Sequence, residues 1–300
     1  MSRDWQWDDT LYRGSAAYYG VGRLPYPPAV ADTFAETFGL DGTQRVLDVG
    51  CGPGSLTLLL APRVAFAVGV DADRDMIAAA TAAADRAGAT NVEWRHMRAE
   101  ELPADLGSFT LVTFAQSFHW FEQAEVASAL RRMLEPGGAC VHLHATTHRG
   151  DASDDALDHP RPPYDRIDAL IRSHLGPARR AGRGLRSVRT AEDEEDALRR
   201  AGFIGPTRIE IDAVRIVTRS ADDVVAATFS LSGSTPHLFG PQVTRFEADL
   251  RALLHDAAPD GTFSERTRPI ALEVWRPLRA ATGQSSPSAS SPSSPTSRGS

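Results

Sequence analysis

Three hundred residues, 42% of them hydrophobic, suffice for one full core and an elaboration on it. The formal charge of −7 argues against nucleic acid as the main partner, because phosphate binding needs clustered positive charge. Two cysteines, Cys51 and Cys140, rule out a disulfide-dense scaffold and a four-cysteine zinc site. Residues 1–9 carry charges and lack the apolar stretch of a signal peptide, and the longest clean apolar run, Val64 to Val70, is too short to cross a bilayer. A cytoplasmic protein without a membrane partner is expected.

Residues 1–44 form an aromatic and proline-rich opening segment, with Tyr12, Tyr18, Tyr19 and Tyr26 among Pro25, Pro27 and Pro28. Val30, Phe34 and Phe38, spaced four apart, predict a helix that stops at Gly39. From Arg45 short apolar runs alternate with helical stretches. Strands are predicted at 46–49, 65–70, 92–96, 109–114 and 139–143. Helices are predicted from Ser55 to Leu60, around Met76 to Ala84, and from Val126 to Leu134, the last ended by Pro136-Gly137-Gly138. Such alternation implies βαβ crossovers and a mainly parallel sheet.

Residues 147–189 break the regularity with four prolines, and with eight arginines between Arg161 and Arg189, and read as a cap or a flexible insert. Thr190 to Ala201 predicts a helix with acids near its start. The parity of the alternating stretch 209–216 slips at Ala213, which predicts a bulge or a change of strand. Residues 221–257 read as helical in pieces, and Ile270, Leu272 and Val274 as a last strand. Nine Ser and three Pro in residues 281–300 predict a disordered tail. The expectation is a Rossmann-like α/β core over 45–146, completed within 190–280. Flanking helices cover its sheet, and helical caps are inserted after the fifth and sixth strands.

The strongest local signal is Leu47-Asp48-Val49-Gly50-Cys51-Gly52-Pro53-Gly54. Gly50 permits a tight turn after the strand, while Gly52 and Gly54 remove side chains so that a ligand can approach backbone N–H groups. Asp71, 23 residues after Asp48 and at the end of the next strand, is placed to accept both hydroxyls of a ribose. Dinucleotide enzymes use a related turn. Here Ser55 stands where their third glycine belongs, and Asp48 would crowd a pyrophosphate. A carboxylate there suits an amino-acid ammonium instead.

With Gly69-Val70-Asp71, Asp75-Met76, Ala99-Glu100-Glu101-Leu102-Pro103, Ser117-Phe118-His119-Trp120-Phe121 and Leu134-Glu135-Pro136-Gly137-Gly138, residues 45–145 resemble the core of class I methyltransferases dependent on S-adenosylmethionine (SAM), in particular the methyltransferase type 11 group. The resemblance covers about a third of the chain and implies SAM as cofactor. It implies that Asp48, Gly50, Cys51, Gly52 and Gly54 form the cradle of the methionine end and that Asp71 takes the ribose. It implies that Ala72 and Met76 line the adenine, with Ala99 and Glu100 along its edge, and that Gln116 lies beside the methionyl part. Many relatives carry Asp where this chain has Arg98. Tyr19 and Arg23 are candidates to close over the SAM carboxylate, with packing on the sheet edge as the alternative.

Methyl transfer from a sulfonium is an in-line displacement that must align nucleophile, methyl and sulfur. His119, after the fourth strand, is the candidate base, with a role in shaping the cofactor rim as the alternative. His142, His144 and His148 lack companion acids or thiols at ligand spacing, so no metal is expected. The arginines of 147–189, Arg179 and Arg180 among them, suit an anionic acceptor. The function expected is methylation of a small molecule. A nicotinamide-dependent oxidoreductase on a similar sheet, or a SAM-binding protein without turnover, are the rivals.

Overall fold

The computed structural model describes Asp8 and residues 10–152, 156–177 and 191–278. Arg179, Arg180 and the Ser/Pro-rich tail lie outside the described residues. The five predicted strands form as parallel strands, four of them largely buried and β3 half-exposed: β1 (Arg45–Val49), β2 (Phe66–Asp71), β3 (Val92–His96), β4 (Phe109–Ala115) and β5 (Leu134–His144). Two later strands, β6 (Phe203–Ile211) and β9 (Ile270–Pro277), complete a seven-stranded sheet in the order β3-β2-β1-β4-β5-β9-β6. β9 runs antiparallel to both its neighbours. The sheet is the mainly parallel, Rossmann-like one expected.

Helices cover both faces. α2 (Pro28–Phe38) and α3 (Ser55–Leu60) bury Val30, Phe34, Leu56 and Leu60 against Val46, Leu111 and Val141. On the other face α5 (Gln123–Met133) and α7 (Ala191–Arg200) pack Val126, Leu130 and Leu198 against Leu47, Val112 and Trp275. α4 (Arg74–Ala87) starts sharply because the Asp73 carboxylate accepts from the N–H groups of Asp75 and Met76, at 2.8 and 3.1 Å. It ends where Gly88 takes the left-handed conformation.

A layer built largely from the inserts sits over one end of the sheet. It contains α1 (Ala16–Gly22), α6 (Tyr164–Leu175), a hairpin of β7 (Ile216–Ser220) with β8 (Thr262–Arg266), and, between those two strands, α8 (Ala221–Phe229), α9 (Pro236–Phe239) and α10 (Val243–Ala257). These helices share a core of Ile167, Ile171, Phe229, Phe239, Phe246 and Leu250. The parity slip at Ala213 is a change of strand. β6 ends at Ile211, and the chain re-forms in a separate sheet at Ile216.

β5 begins earlier than its sequence suggests. Phe109 pairs with Leu134 and Leu111 with Ala139, so the Pro136-Gly137-Gly138 stretch is an excursion within the strand. The Thr110 hydroxyl donates to the Glu135 carboxylate at 2.9 Å across it.

Candidate functional site

A cleft opens at the carboxyl ends of β1, β2 and β4, where the crossovers reverse between β1 and β4. It encloses about 740 Å³, part of it continuous with solvent. Its floor is the glycine turn. Gly50, Gly52 and Gly54 all take left-handed φ values, +68°, +54° and +79°. A Cβ on Gly50 would lie 2.6 Å from Ser117 Cβ, and one on Gly54 would lie 2.4 Å from the Trp94 ring. A Cβ on Gly52 meets nothing within 4 Å and would project into open space beside the cleft that this residue lines.

The turn's N–H groups are largely spent inside the protein. Those of Gly50 and Cys51 donate to the Val70 carbonyl, at 2.8 and 3.0 Å, and that of Gly54 to the Cys51 carbonyl at 3.0 Å. The Gly52 N–H donates to Asp71 at 2.8 Å. The glycines therefore clear space more than they present donors.

Asp71 ends β2 at the base of the cleft. One carboxylate oxygen accepts from Gly52 and the other from the Asp73 N–H, each at 2.8 Å. Burial nevertheless pushes its pKa up to about 6, against the pull of those two donors. Ala72 and Met76 line one flank beside it, and Arg98, Ala99 and Glu100 the other. Arg98 Nε lies 3.5 Å from Glu100, whose second oxygen accepts the Glu122 N–H at 2.9 Å.

Asp48 lies outside the cleft walls and is 1% exposed. Its two oxygens accept the hydroxyls of Thr57 at 2.7 Å and Thr113 at 2.9 Å. Burial, opposed by these bonds, raises its pKa to about 6. Cys51, Gly54, Arg23 and His119 also stand off the cleft walls. The Arg23 guanidinium covers the Tyr19 ring at 4.7 Å and donates to the Ser230 hydroxyl and carbonyl, at 2.7 and 3.0 Å. Half-buried His119 stacks at 4.8 Å against Trp120, and burial pushes its pKa down to about 4. Trp120 is the member of that pair that faces the cleft.

Tyr19, Leu11 and Tyr12 of the opening segment roof the cleft, and Tyr12 meets Trp120 edge-on at 5.7 Å. Leu11 and Tyr12 were not singled out from the sequence, although Tyr12 belongs to the aromatic opening. Gln116 lines the cleft at the end of β4 with φ +60°, rare for a residue with a side chain, and its amide donates to the Leu143 carbonyl at 3.2 Å.

Residues 46–138 match the methyltransferase domain family. Over that stretch the chain carries a methyltransferase domain. An uncharacterised methyltransferase of Mycobacterium tuberculosis is 36% identical over 132 residues, 44% of this chain and 51% of that protein. A ubiquinone biosynthesis O-methyltransferase of Psychrobacter cryohalolentis is 35% identical over 119 residues, 39% of this chain and 46% of that one. The chain spans about half the length of the curated relatives it matches. A putative type II methyltransferase from Anaeromyxobacter dehalogenans shares the fold at a TM-score of 0.54, with 21% identity over 86% of this chain and 99% of that one. The [4+2]-cyclase SpnF shares it at 0.51, with 20% identity over 90% and 93%.

SAM is the cofactor of this domain class, and the cleft residues fit it. The cleft has a carboxylate, Asp71, whose oxygens can accept from a diol, and a side-chain-free step at Gly52. His142, His144 and His148 have separate partners, although the His142 and His144 rings lie 6.3 Å apart. His142 packs between Phe114 and Phe118, His144 pairs with Glu273 at 2.9 Å, and His148 lies among arginines. No helix of the described residues is long and apolar enough to cross a membrane.

Proposed function

We propose that this chain is a methyltransferase that transfers a methyl group from SAM to a small-molecule acceptor. The observation that carries the reading is the Asp71 carboxylate at the end of β2, with both oxygens fixed by backbone N–H groups and Gly52 beside it. The bound sulfonium supplies an electrophilic methyl group. Asp71 accepts the ribose hydroxyls, and Ala72, Met76 and Ala99 enclose the base. Arg98, with donors only, faces the base where relatives offer an acid, so Glu100 is the acceptor available to the adenine amino group.

Gln116 is held off its relaxed backbone conformation beside the methionyl end, where a fixed amide orients that part of the ligand. Asp48 acts from beneath the turn, its carboxylate fixed by Thr57 and Thr113, and meets the ammonium end through its charge and not by contact. Tyr12, Tyr19 and Trp120 exclude water from above. His119, neutral at pH 7, is the proton acceptor of this turn and reaches the cleft only past Trp120. A small acceptor is favoured because the insert layer and the opening segment cover this edge of the sheet. The relative named for ubiquinone biosynthesis points the same way.

The test is calorimetry with S-adenosylhomocysteine (SAH) and with NAD, followed by labelled-methyl turnover on metabolite pools. SAH is expected to bind, NAD not, and Asp71→Ala to lose SAH affinity by about tenfold or more. NAD binding in place of SAH would return the oxidoreductase reading. SAH binding without label transfer to any pool would leave a SAM-binding protein without turnover.

A further inference from the structure

A second hollow opens on the same edge of the sheet, beside the ends of β5 and β9. It encloses about 300 Å³, part of it solvent, and Tyr26, Thr147, Thr267, Ile270, Arg215 and Arg268 line it. Leu24 anchors its wall by donating its N–H to the Thr147 carbonyl at 2.8 Å.

Three guanidiniums in or near this hollow have no carboxylate partner among the described residues. Arg268 donates through Nε to the Gly150 carbonyl at 2.9 Å. Arg215 is held only by its backbone, which exchanges hydrogen bonds with Thr267, and its exposed side chain is uncommitted. Arg23 is bound to Ser230 and approaches His148 Nδ1 at 3.4 Å.

The nearby acids are engaged elsewhere: Glu265 with Arg219 at 3.1 Å, Asp168 with Arg149 at 3.5 Å, and Asp151 with Arg266 at 3.2 Å. Exposed Asp212 pairs with none of the three arginines. His148 reports the local field. Burial first, then Arg23, Arg149, Arg268 and Arg219, push its pKa down to about 3. In a chain of net charge −7, a concave site with uncompensated guanidiniums is built for an oxyanion.

The hollow and the cleft are neighbours along the sheet edge: Ala115 and Gln116 of the cleft lie at the end of β4, and Ala145 of the hollow follows β5, the strand paired with it. Tyr26 lines the hollow, and after burial the groups that raise its pKa are Tyr19, which roofs the cleft, and Asp48 beneath it. Gln116 ends β4, and β5 and β9 are the next two strands, so the hollow's Ile270 edge lies roughly 10 Å along the sheet from the cleft.

We propose that this hollow holds the anionic end of the methyl acceptor, a carboxylate or phosphate seated between Arg215 and Arg268, with the nucleophilic atom reaching the cleft past Tyr26. The proposal rests on the methyltransferase reading and adds to it the acceptor's charge and span. An elongated acid meets both requirements, and a compact neutral acceptor meets neither.

The experiment uses the full chain saturated with SAH and titrates 3-(4-hydroxyphenyl)propionate, its primary amide, and inorganic phosphate. The acid is expected to bind, the amide to bind about tenfold more weakly, and phosphate to compete with the acid. Arg215→Gln and Arg268→Gln are each expected to weaken the acid by about three- to tenfold and to leave SAH affinity unchanged. Unchanged SAH affinity also reports an intact fold, and Arg215→Gln, which breaks no bond in the protein, guards against misfolding at Arg268. Acid and amide binding alike, acid affinity surviving both substitutions, or neither acid nor phosphate binding to the SAH complex would each overturn the proposal. Failure of SAH to bind would instead remove the methyltransferase reading, and phosphate titrated without SAH would still read the hollow.

Discussion

At the scale of single residues, the two carboxylates of the site carry a pH signature. Asp71 and Asp48 are both raised to about 6, chiefly by burial. A ligand that donates hydrogen bonds to Asp71 prefers the carboxylate, so binding is complete above that value and expels a proton as pH falls through it. SAH affinity is therefore expected to drop about tenfold per pH unit below about pH 6, and calorimetry in buffers of different ionisation enthalpy would register the released proton. Affinity that stays flat down to about pH 5 would remove Asp71 from the binding site. His142 ties stability to pH in the same direction. Burial first, then His144 and His119, hold its pKa at about 3, and Nε2 is buried without a hydrogen-bond partner among the described residues. In the unfolded chain it titrates near 6.5, so its contribution is complete above that pH and is lost as pH falls toward about 3. His142→Leu, set between Phe114 and Phe118, is expected to gain on the parent protein by at most about 1.4 kcal/mol per pH unit between about pH 6 and 4. Urea unfolding at several pH values would measure the gap, and an unchanged gap would mean that His142 takes up its proton in the fold.

At the scale of elements, α1 joins the opening segment to the insert layer through two glycines with opposite roles. A Cβ on Gly22 would lie 2.3 Å from the Ala226 backbone of α8, whereas one on Gly20 meets nothing within 4 Å. Gly22→Ala is expected to cost about 1–3 kcal/mol by forcing α1 and α8 apart, and to weaken SAH binding because Tyr19 rides on α1. Gly20→Ala is expected to be stabilising by about 0.5–1 kcal/mol, as alanine is in an exposed helical turn. Melting curves for the pair would decide it, and a matched shift in both would show that α1 does not pack as described. The same contrast explains what could be read from the sequence. β1, β2, β4 and the second half of β5 are legible because a parallel strand buried on both faces is a largely apolar run, the half-exposed β3 by its place in the alternation, and the glycine turn because its chemistry is local. β8 is not, since its buried positions are Phe263, Ser264 and Glu265, and a buried glutamate is tolerable only because Arg219 of the partner strand, the Gly150 N–H and the Tyr164 hydroxyl meet it. α6 hides because Ile167 and Ile171 are its only fully buried apolar positions, among charges and behind Pro163. The roof over the cleft and the hollow of Arg215 and Arg268 are assembled from distant segments, which no local pattern records.

At the scale of the whole molecule, one ion pair binds the added layer to the rest. Arg219 of β7 and Glu265 of β8 are 2% and 0% exposed and lie 3.1 Å apart. Arg219 also donates to the carbonyls of Gly22 at the end of α1, His148 after β5, and Asp223 in α8. Glu265 accepts the Gly150 N–H at 2.7 Å and the Tyr164 hydroxyl of α6 at 2.6 Å. Every segment of the layer but α9 and α10 is thus tied to one of these two side chains. Removing one partner strands a buried charge, so Arg219→Met is expected to cost about 3–5 kcal/mol. Replacing both by apolar residues abolishes the stranded charge and, for an isolated pair, recovers most of that loss. Here three carbonyls, one N–H and one phenol would still be left without partners, each costing about 1–3 kcal/mol if no water reaches it. The double variant Arg219→Met with Glu265→Leu is therefore expected to stay well below the parent protein in denaturant. Its loss should fall on the layer first, seen as faster hydrogen exchange in α1, α6 and α8 while β1 to β5 stay protected. Full recovery of stability in the double variant would mean that the pair acts only on itself and that the layer is held by its apolar core alone.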